Sequence, residues 1–112
     1  MKFLLNLYLD AAALPGDGFD HEGFLAAAER TGELISGYLF ADPSLSAVVR
    51  VRGGVVTVTE GPYRHSPDHV AGQYLVDCEN PERATELAAL ISSDRISSVE
   101  VRPLMDSAGT DV

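Results

Sequence analysis

The chain has one cysteine, Cys78, so no intrachain disulfide can form. A lone Cys reads as a small buried hydrophobe, and the expected setting is reduced and cytoplasmic. No apolar run approaches the ~20 residues that span a bilayer, so no membrane partner is expected. Residues 3–9 are mostly apolar, but Asn6 interrupts them, and only Lys2 precedes them as a basic flank. They read as a first strand and not as a signal peptide. Basic residues are also few: 8 Lys plus Arg, of which Lys2 is the only lysine, against 17 Asp plus Glu, for a net charge of -9. Phosphate binding needs clustered Lys and Arg, so the scattered charges weigh against nucleic acid. The acidic excess keeps a small protein in solution. There is no G-x-S-x-G elbow, P-loop or G-x-G-x-x-G, and no cofactor is expected.

What remains is an ordinary globular composition: 112 residues, 46% hydrophobic, with no internal repeat. That is one domain, large enough to bury about two-thirds of its unfolded surface without metals or disulfides. Residues 1–9 alternate, with Phe3, Leu5, Leu7 and Leu9 on one face and Lys2, Leu4, Asn6 and Tyr8 on the other. This is the pattern of a half-buried strand. A loop with Pro15-Gly16-Asp17-Gly18 follows. The spacing of Phe24, Ala27, Ala28 and Thr31 then predicts a helix over 20–34, capped by Asp20 and punctuated by Gly32 and Gly37.

Asp42-Pro43 reads as a turn. Residues 45–52 and 55–60 are β-rich and flank Gly53-Gly54, which predicts a hairpin. A strand is expected over 70–78. Asn80 then caps a second helix, with Pro81 at its first position and Ala84, Leu87, Ala88 and Ile91 on one face. Residues 96–102 read as a last strand. The domain is set at 1–103, with 104–112 as a tail.

The order is that of a split βαβ plan, giving an α+β fold. It is ferredoxin-like, βαββαβ with an added hairpin strand, helices on one face of an antiparallel sheet. Alternation sends Asn6, Tyr8, Arg50, Arg52, Gln73, Glu100 and Arg102 to the other face. That face is either a solvated surface or, in a dimeric α+β barrel arrangement, a dimer surface and ligand floor. Asn6, Tyr8, Arg50, Arg52, Gln73 and Arg102 are therefore candidate ligand contacts. Arg50, Arg52 and Arg102 are expected to converge and hold a small anion bidentately, or else to pair with Glu100.

The densest titratable cluster is His65, Asp68 and His69. Imidazole titrates near neutrality and a carboxylate can orient it, which suits acid-base work. The His-x3-His spacing would suit zinc on a helix, but Pro67 intervenes and no metal site is expected. Ser66-Pro67-Asp68 has the order of a helix start. Glu60-Gly61-Pro62-Tyr63 is a turn in which Glu60 either acts as a base or bonds loop amides.

Four segments carry a family resemblance: Thr57-Val58-Thr59-Glu60-Gly61-Pro62-Tyr63, Ala71-Gly72-Gln73-Tyr74-Leu75-Val76-Asp77, the Asn80-Pro81-Glu82-Arg83-Ala84 helix start, and Ser98-Val99-Glu100-Val101-Arg102-Pro103. Together they resemble the YCII-related family in its DGPF-type branch. The departures are Glu60 for the usual Asp, Tyr63 for the usual Phe, and residues 64–68 in place of an acidic stretch. The resemblance implies a bacterial, ferredoxin-like homodimer whose sheets pack face to face around a pocket. Some relatives are enzymes, including a dehydrochlorinase, and some are linked with sigma factors of transcription. A catalytic His-Asp pair in another branch makes His21 a further candidate. Two functions follow. One is a dimer that binds a small organic molecule, with lyase- or isomerase-like acid-base chemistry by His65, Asp68, His69, Glu60 or His21. The other is a non-catalytic interaction module, for example an accessory to a transcription factor.

Overall fold

A computed structural model describes residues 1–10, 22–64, 68–91 and 96–105; the side chains of Asp10, Asp68 and Ser97 lie outside the description. The fold is α+β. The elements are β1 (Lys2–Asp10), α1 (Glu22–Arg30), β2 (Leu34–Leu39), β3 (Ala47–Arg52), β4 (Val55–Glu60), β5 (Asp68–Asp77), α2 (Pro81–Ala89) and β6 (Ile96–Pro103). A single 3-10 turn, Pro43–Leu45, precedes β3.

The central strand is the one whose alternation is cleanest. Phe3, Leu5 and Leu7 of β1 are fully buried, while Leu4 and Tyr8 on the opposite face are half-buried. β1 pairs antiparallel with β5 on one side and β6 on the other, and β2 extends the sheet beyond β5, giving the order β2-β5-β1-β6. Both helices cover the face that carries Phe3, Leu5 and Leu7. Phe24 and Ala28 of α1 meet Ala84, Leu87 and Ala88 of α2, with Tyr74 and Val76 from β5 between sheet and helices. Each large side chain removed from water here contributes about 1.5–3 kcal/mol.

α2 starts as its sequence dictates. The Asn80 side chain accepts a hydrogen bond from the Arg83 N–H at 2.9 Å, and Pro81 occupies the first turn, where no N–H is needed. Its expected apolar stripe, Ala84, Leu87, Ala88 and Ile91, is buried throughout.

α1 ends earlier than its periodicity suggests. Gly32 takes φ +75°, its N–H bonds to the Glu29 carbonyl, and the Glu33 N–H bonds back to the Ala28 carbonyl at 2.9 Å. These bonds satisfy the last carbonyls and turn the chain out of the helix. Leu34, expected at the helix end, instead opens β2, an edge strand over residues that the sequence reading had left unassigned beyond Leu34.

The Gly-Gly hairpin forms where expected, with Gly53 and Gly54 at φ +56° and +79°. Positive φ at both central positions matches the strand twist of a two-residue turn. The hairpin does not join the sheet, however. β3 and β4 make a separate two-stranded ribbon, and none of its side chains is buried. Val49 faces Val58 and Val51 faces Val56 on one side of it; Arg50 faces Thr57 and Arg52 faces Val55 on the other. Arg50 and Arg52 therefore do not lie on the open sheet face with Arg102, and the expected convergence of the three does not occur.

One further expectation changes. Asp68 is the first residue of β5 and pairs with Asp10, so the helix start read at 66–68 is not formed at Asp68. At the other end of the sheet Pro103 pairs with Phe3, and the Leu104 N–H bonds to the Lys2 carbonyl. Among the described residues no helix is long and apolar enough to cross a membrane.

Candidate functional site

The open face of the sheet carries a chain of hydrogen bonds across three strands. Asn6 on β1 stands opposite Gln73 on β5 and Glu100 on β6. The Gln73 amide donates to Asn6 Oδ1 at 2.8 Å, and Asn6 Nδ2 donates to Glu100 Oε1 at 2.9 Å. Arg102 then donates to Glu100 Oε2 at 2.9 Å. Asn6 is 6% exposed, so its amide has to be paired within the protein, and this row pairs both ends. The Asn6 hydrogen bond, followed by Arg102, holds the Glu100 carboxyl below the usual carboxylate range. Three expected site positions thus satisfy one another together with Glu100, and of the two roles open to Arg102 the structure shows the pairing with Glu100.

A groove of about 630 Å³ lies at the other end of β1, a volume in the range of small-molecule sites. Three stretches far apart in sequence form it. Tyr8 pairs with Val70, and both line the groove together with His69. The connection from Phe40 to Ser46 forms a second wall. The Phe40 N–H extends the β2–β5 pairing to the Ala71 carbonyl at 2.8 Å, and Asp42 caps the 3-10 turn by accepting from the Ser44 N–H at 2.9 Å. The root of the ribbon and residues 62–64 complete the rim. The Gly61 N–H donates to the Ser46 carbonyl at 2.7 Å, which fastens the end of β4 to the start of β3 and sets the direction of Pro62 and Tyr63.

The groove holds Asp42, Arg64 and His69 as its charged or titratable acid-base groups among the described residues, with Tyr8 and Tyr63 as hydroxyl bearers. The Ser44 hydrogen bonds lower the Asp42 carboxyl, and the nearby His69 adds to the effect. The guanidinium carbons of Arg50 and Arg64 both lie 5.6 Å from the centroid of the Tyr63 ring, within reach of a cation–π attraction.

Of the expected acid-base residues, His69 lines this groove. Glu60 is exposed at the end of β4, on the ribbon side shared with Ala47, and is not among the groove's lining residues. The Asp68 backbone adjoins His69 but its side chain lies outside the description, and His21 and His65 lie outside the described residues altogether. Tyr8 reaches the groove, and Arg50 touches its rim through Tyr63. Asp42, Phe40 and Arg64 were not singled out from the sequence. Asp42 had signalled only a turn, and Arg64 only a departure from a motif.

Cys78 is buried, and burial, then the Glu33 carboxylate, push its thiol up to about 11. A thiol so protonated is a poor nucleophile. Among the described residues no group of three His, Cys, Asp or Glu is arranged to hold a metal ion. No family model matches the chain, and no curated protein matches it.

Proposed function

We propose that this protein is a homodimeric, YCII-related protein of the DGPF-type branch that binds a small organic molecule in the groove beside Tyr8. His69 serves there as the proton-transfer group of lyase- or isomerase-like chemistry. The observation that carries this reading is the groove itself. One cavity gathers a half-buried imidazole, a capped carboxylate, two tyrosines and the Pro62–Tyr63 segment of the family motif.

The strand order β2-β5-β1-β6, with α1 between β1 and β2 and α2 between β5 and β6, supports a ferredoxin-like assignment. The family assignment rests on the motif residues named above. Dimerisation has two supports: the helix-free sheet face with half-buried Leu4 and Leu75, and a ribbon whose Val49, Val51, Val56 and Val58 are each at least 60% exposed. A two-stranded ribbon alone is marginal in water and gains from a covering surface. The buried, protonated Cys78 suits a cytoplasmic setting.

An imidazole can take a proton from a carbon or oxygen acid and return it, and His69 is the imidazole that lines the groove. Apolar neighbours such as Phe40, Pro43 and Val48 limit water around a bound molecule.

The test is a fragment titration of the isotopically labelled protein followed by NMR. Binding should perturb Tyr8, His69 and Tyr63 amides together, and His69→Gln should abolish any turnover while leaving binding within a few-fold. If no fragment in a diverse set perturbs these positions, the groove is not a binding site. Sedimentation at micromolar concentration should give a mass above the 12.0 kDa of one chain.

The exposed valine side of the ribbon also favours a second reading, a non-catalytic interaction module such as an accessory to a transcription factor. That reading predicts that Val49→Ser with Val56→Ser abolishes partner capture, while no fragment enters the groove.

A further inference from the structure

We propose that the Tyr63 end of the groove is an oxyanion site, in which Arg50 and Arg64 bind the carboxylate or phosphate head of a ligand whose apolar body lies along Phe40, Pro43, Leu45 and Val48. The inference rests on the small-molecule reading of the groove and adds the ligand's chemical class.

Its first support is charge placement. The chain carries 17 acidic residues against 8 basic ones, yet the guanidinium carbons of two of its seven arginines each lie 5.6 Å from the centroid of a single ring. Neither is in an ion pair among the described residues, whereas Arg83 pairs with Glu33 and Arg102 with Glu100. Glu60 is near in sequence but does not neutralise Arg50. The register pairs Arg50 with Thr57 and Ala47 with Glu60, so the two side chains leave opposite sides of the ribbon. Two cations without a partner carboxylate among the described residues and each within 5.6 Å of one ring centroid repel one another, which a bound anion would relieve.

The second support is geometry. A guanidinium held over an aromatic face keeps its in-plane N–H donors available, and these match an oxyanion's paired acceptors. Tyr63 therefore fixes where the donors sit without consuming them. Asp42 is the single carboxylate lining the groove among the described residues. It already accepts from the Ser44 N–H and has His69 within electrostatic reach, so its charge is partly spent. The remaining wall residues named above are apolar and offer an uncharged body no polar competitor. The anion site differs from the one expected from the sequence: Arg64 joins Arg50, while Arg52 and Arg102 lie elsewhere.

The experiment titrates the full chain with cyclohexanecarboxylate, cyclohexyl phosphate and cyclohexanecarboxamide, followed by calorimetry and amide NMR shifts. The body is the same in all three, and the amide differs from the carboxylate chiefly in charge. One or both acids should perturb Tyr63 and Arg64 and bind roughly tenfold more tightly than the amide, with the preference falling as salt rises. The tighter acid identifies the head group. Arg50→Met and Arg64→Met should each weaken the acid roughly threefold to fivefold and leave the amide unchanged. The double variant should abolish the preference, and Arg52→Met should keep it. Variants are first checked for a native-like amide spectrum, and Arg64→Lys provides a charge-retaining version if Arg64→Met does not fold. Equal binding of acid and amide in the groove, or a preference that survives in the double variant, overturns the oxyanion site and leaves the small-molecule groove intact. If none of the three perturbs the groove, both readings fail.

Discussion

Gly37 should be hard to replace. It lies on β2 directly opposite Tyr74 of β5. A Cβ added at Gly37 would fall on the Cδ1–Cε1 edge of the Tyr74 ring, closer than real Cβ contacts come. The ring cannot simply slide away. Tyr74 is 7% exposed, and its ring packs on Phe24 with centroids 4.5 Å apart at 44°. Gly37→Ala therefore has to displace a core aromatic. Overpacking of this kind costs about 1–3 kcal/mol, and part of the roughly 0.5–1.5 kcal/mol of an aromatic pair is lost as well, so about 2–4 kcal/mol is expected in total. For a domain near this size each kcal/mol lowers the melting temperature by about 4–8 °C, so a fall of about 10 °C or more should be seen. The assay is thermal and urea unfolding by circular dichroism at one fixed protein concentration, because self-association would otherwise shift the midpoint. The cycle is completed with Tyr74→Leu, which clears space above residue 37. In that background Gly37→Ala should cost at least about 1 kcal/mol less. A loss under about 0.5 kcal/mol for Gly37→Ala alone, or the same loss with and without Tyr74, would refute the reasoning.

Two further outcomes follow from the polar groups. Asn6→Ala removes the first of the two hydrogen bonds that lower the Glu100 carboxyl, so that pKa should rise toward its ordinary 4.5. A depressed carboxylate stabilises the fold above its unfolded pKa and loses that contribution as pH falls through the folded value, so the variant should show a smaller acid-side loss. Side-chain carbon NMR titration reads the shift directly, and an unmoved Glu100 would show that Asn6 is not its donor. For Cys78, the thiol ionises near 9.0 when free and at about 11 in the fold. A raised acid pKa contributes stability that is full below 9 and is lost as pH climbs through 11. Cys78→Ala should flatten stability across that window, and native protein should resist iodoacetamide at neutral pH until unfolded in urea. Rapid native alkylation would contradict the burial.

How much of this was legible in advance depended on how local each signal is. The inward face of β1, the Asn80 cap, the α2 stripe and the Gly53-Gly54 turn were readable because each is decided by residues within a few positions of one another. β2 was not. Ser36 and Gly37 interrupt its apolar residues, and as an edge strand it leaves Ile35, Tyr38 and Leu39 exposed, so it shows no clean alternation. The helical spacing of Phe24, Ala28 and Thr31 reached only its first residue, Leu34. The candidate site divided in the same way. Asn6, Gln73 and Arg102 were read correctly as facing away from the helices, and Tyr8 and His69 were among the named candidates. That Asn6, Gln73 and Arg102 would occupy one another with Glu100 required the register of three strands. Asp42 and Arg64 became visible as groove residues only once residue 8, the 40–48 connection and the 62–70 stretch met in space.

The sequence by itself therefore determined the element types other than β2, the buried face of the central strand, the two-residue turn and an acidic α+β chain. The tertiary structure alone decided which strands pair. A strand's alternation fixes which of its sides is buried but not which neighbour it takes, since that choice turns on contacts between residues distant in the chain. On that choice rested the separation of the β3–β4 ribbon from the sheet. With it, Arg50 left the company of Arg102 and came to stand with Arg64 over Tyr63, at the mouth of the groove.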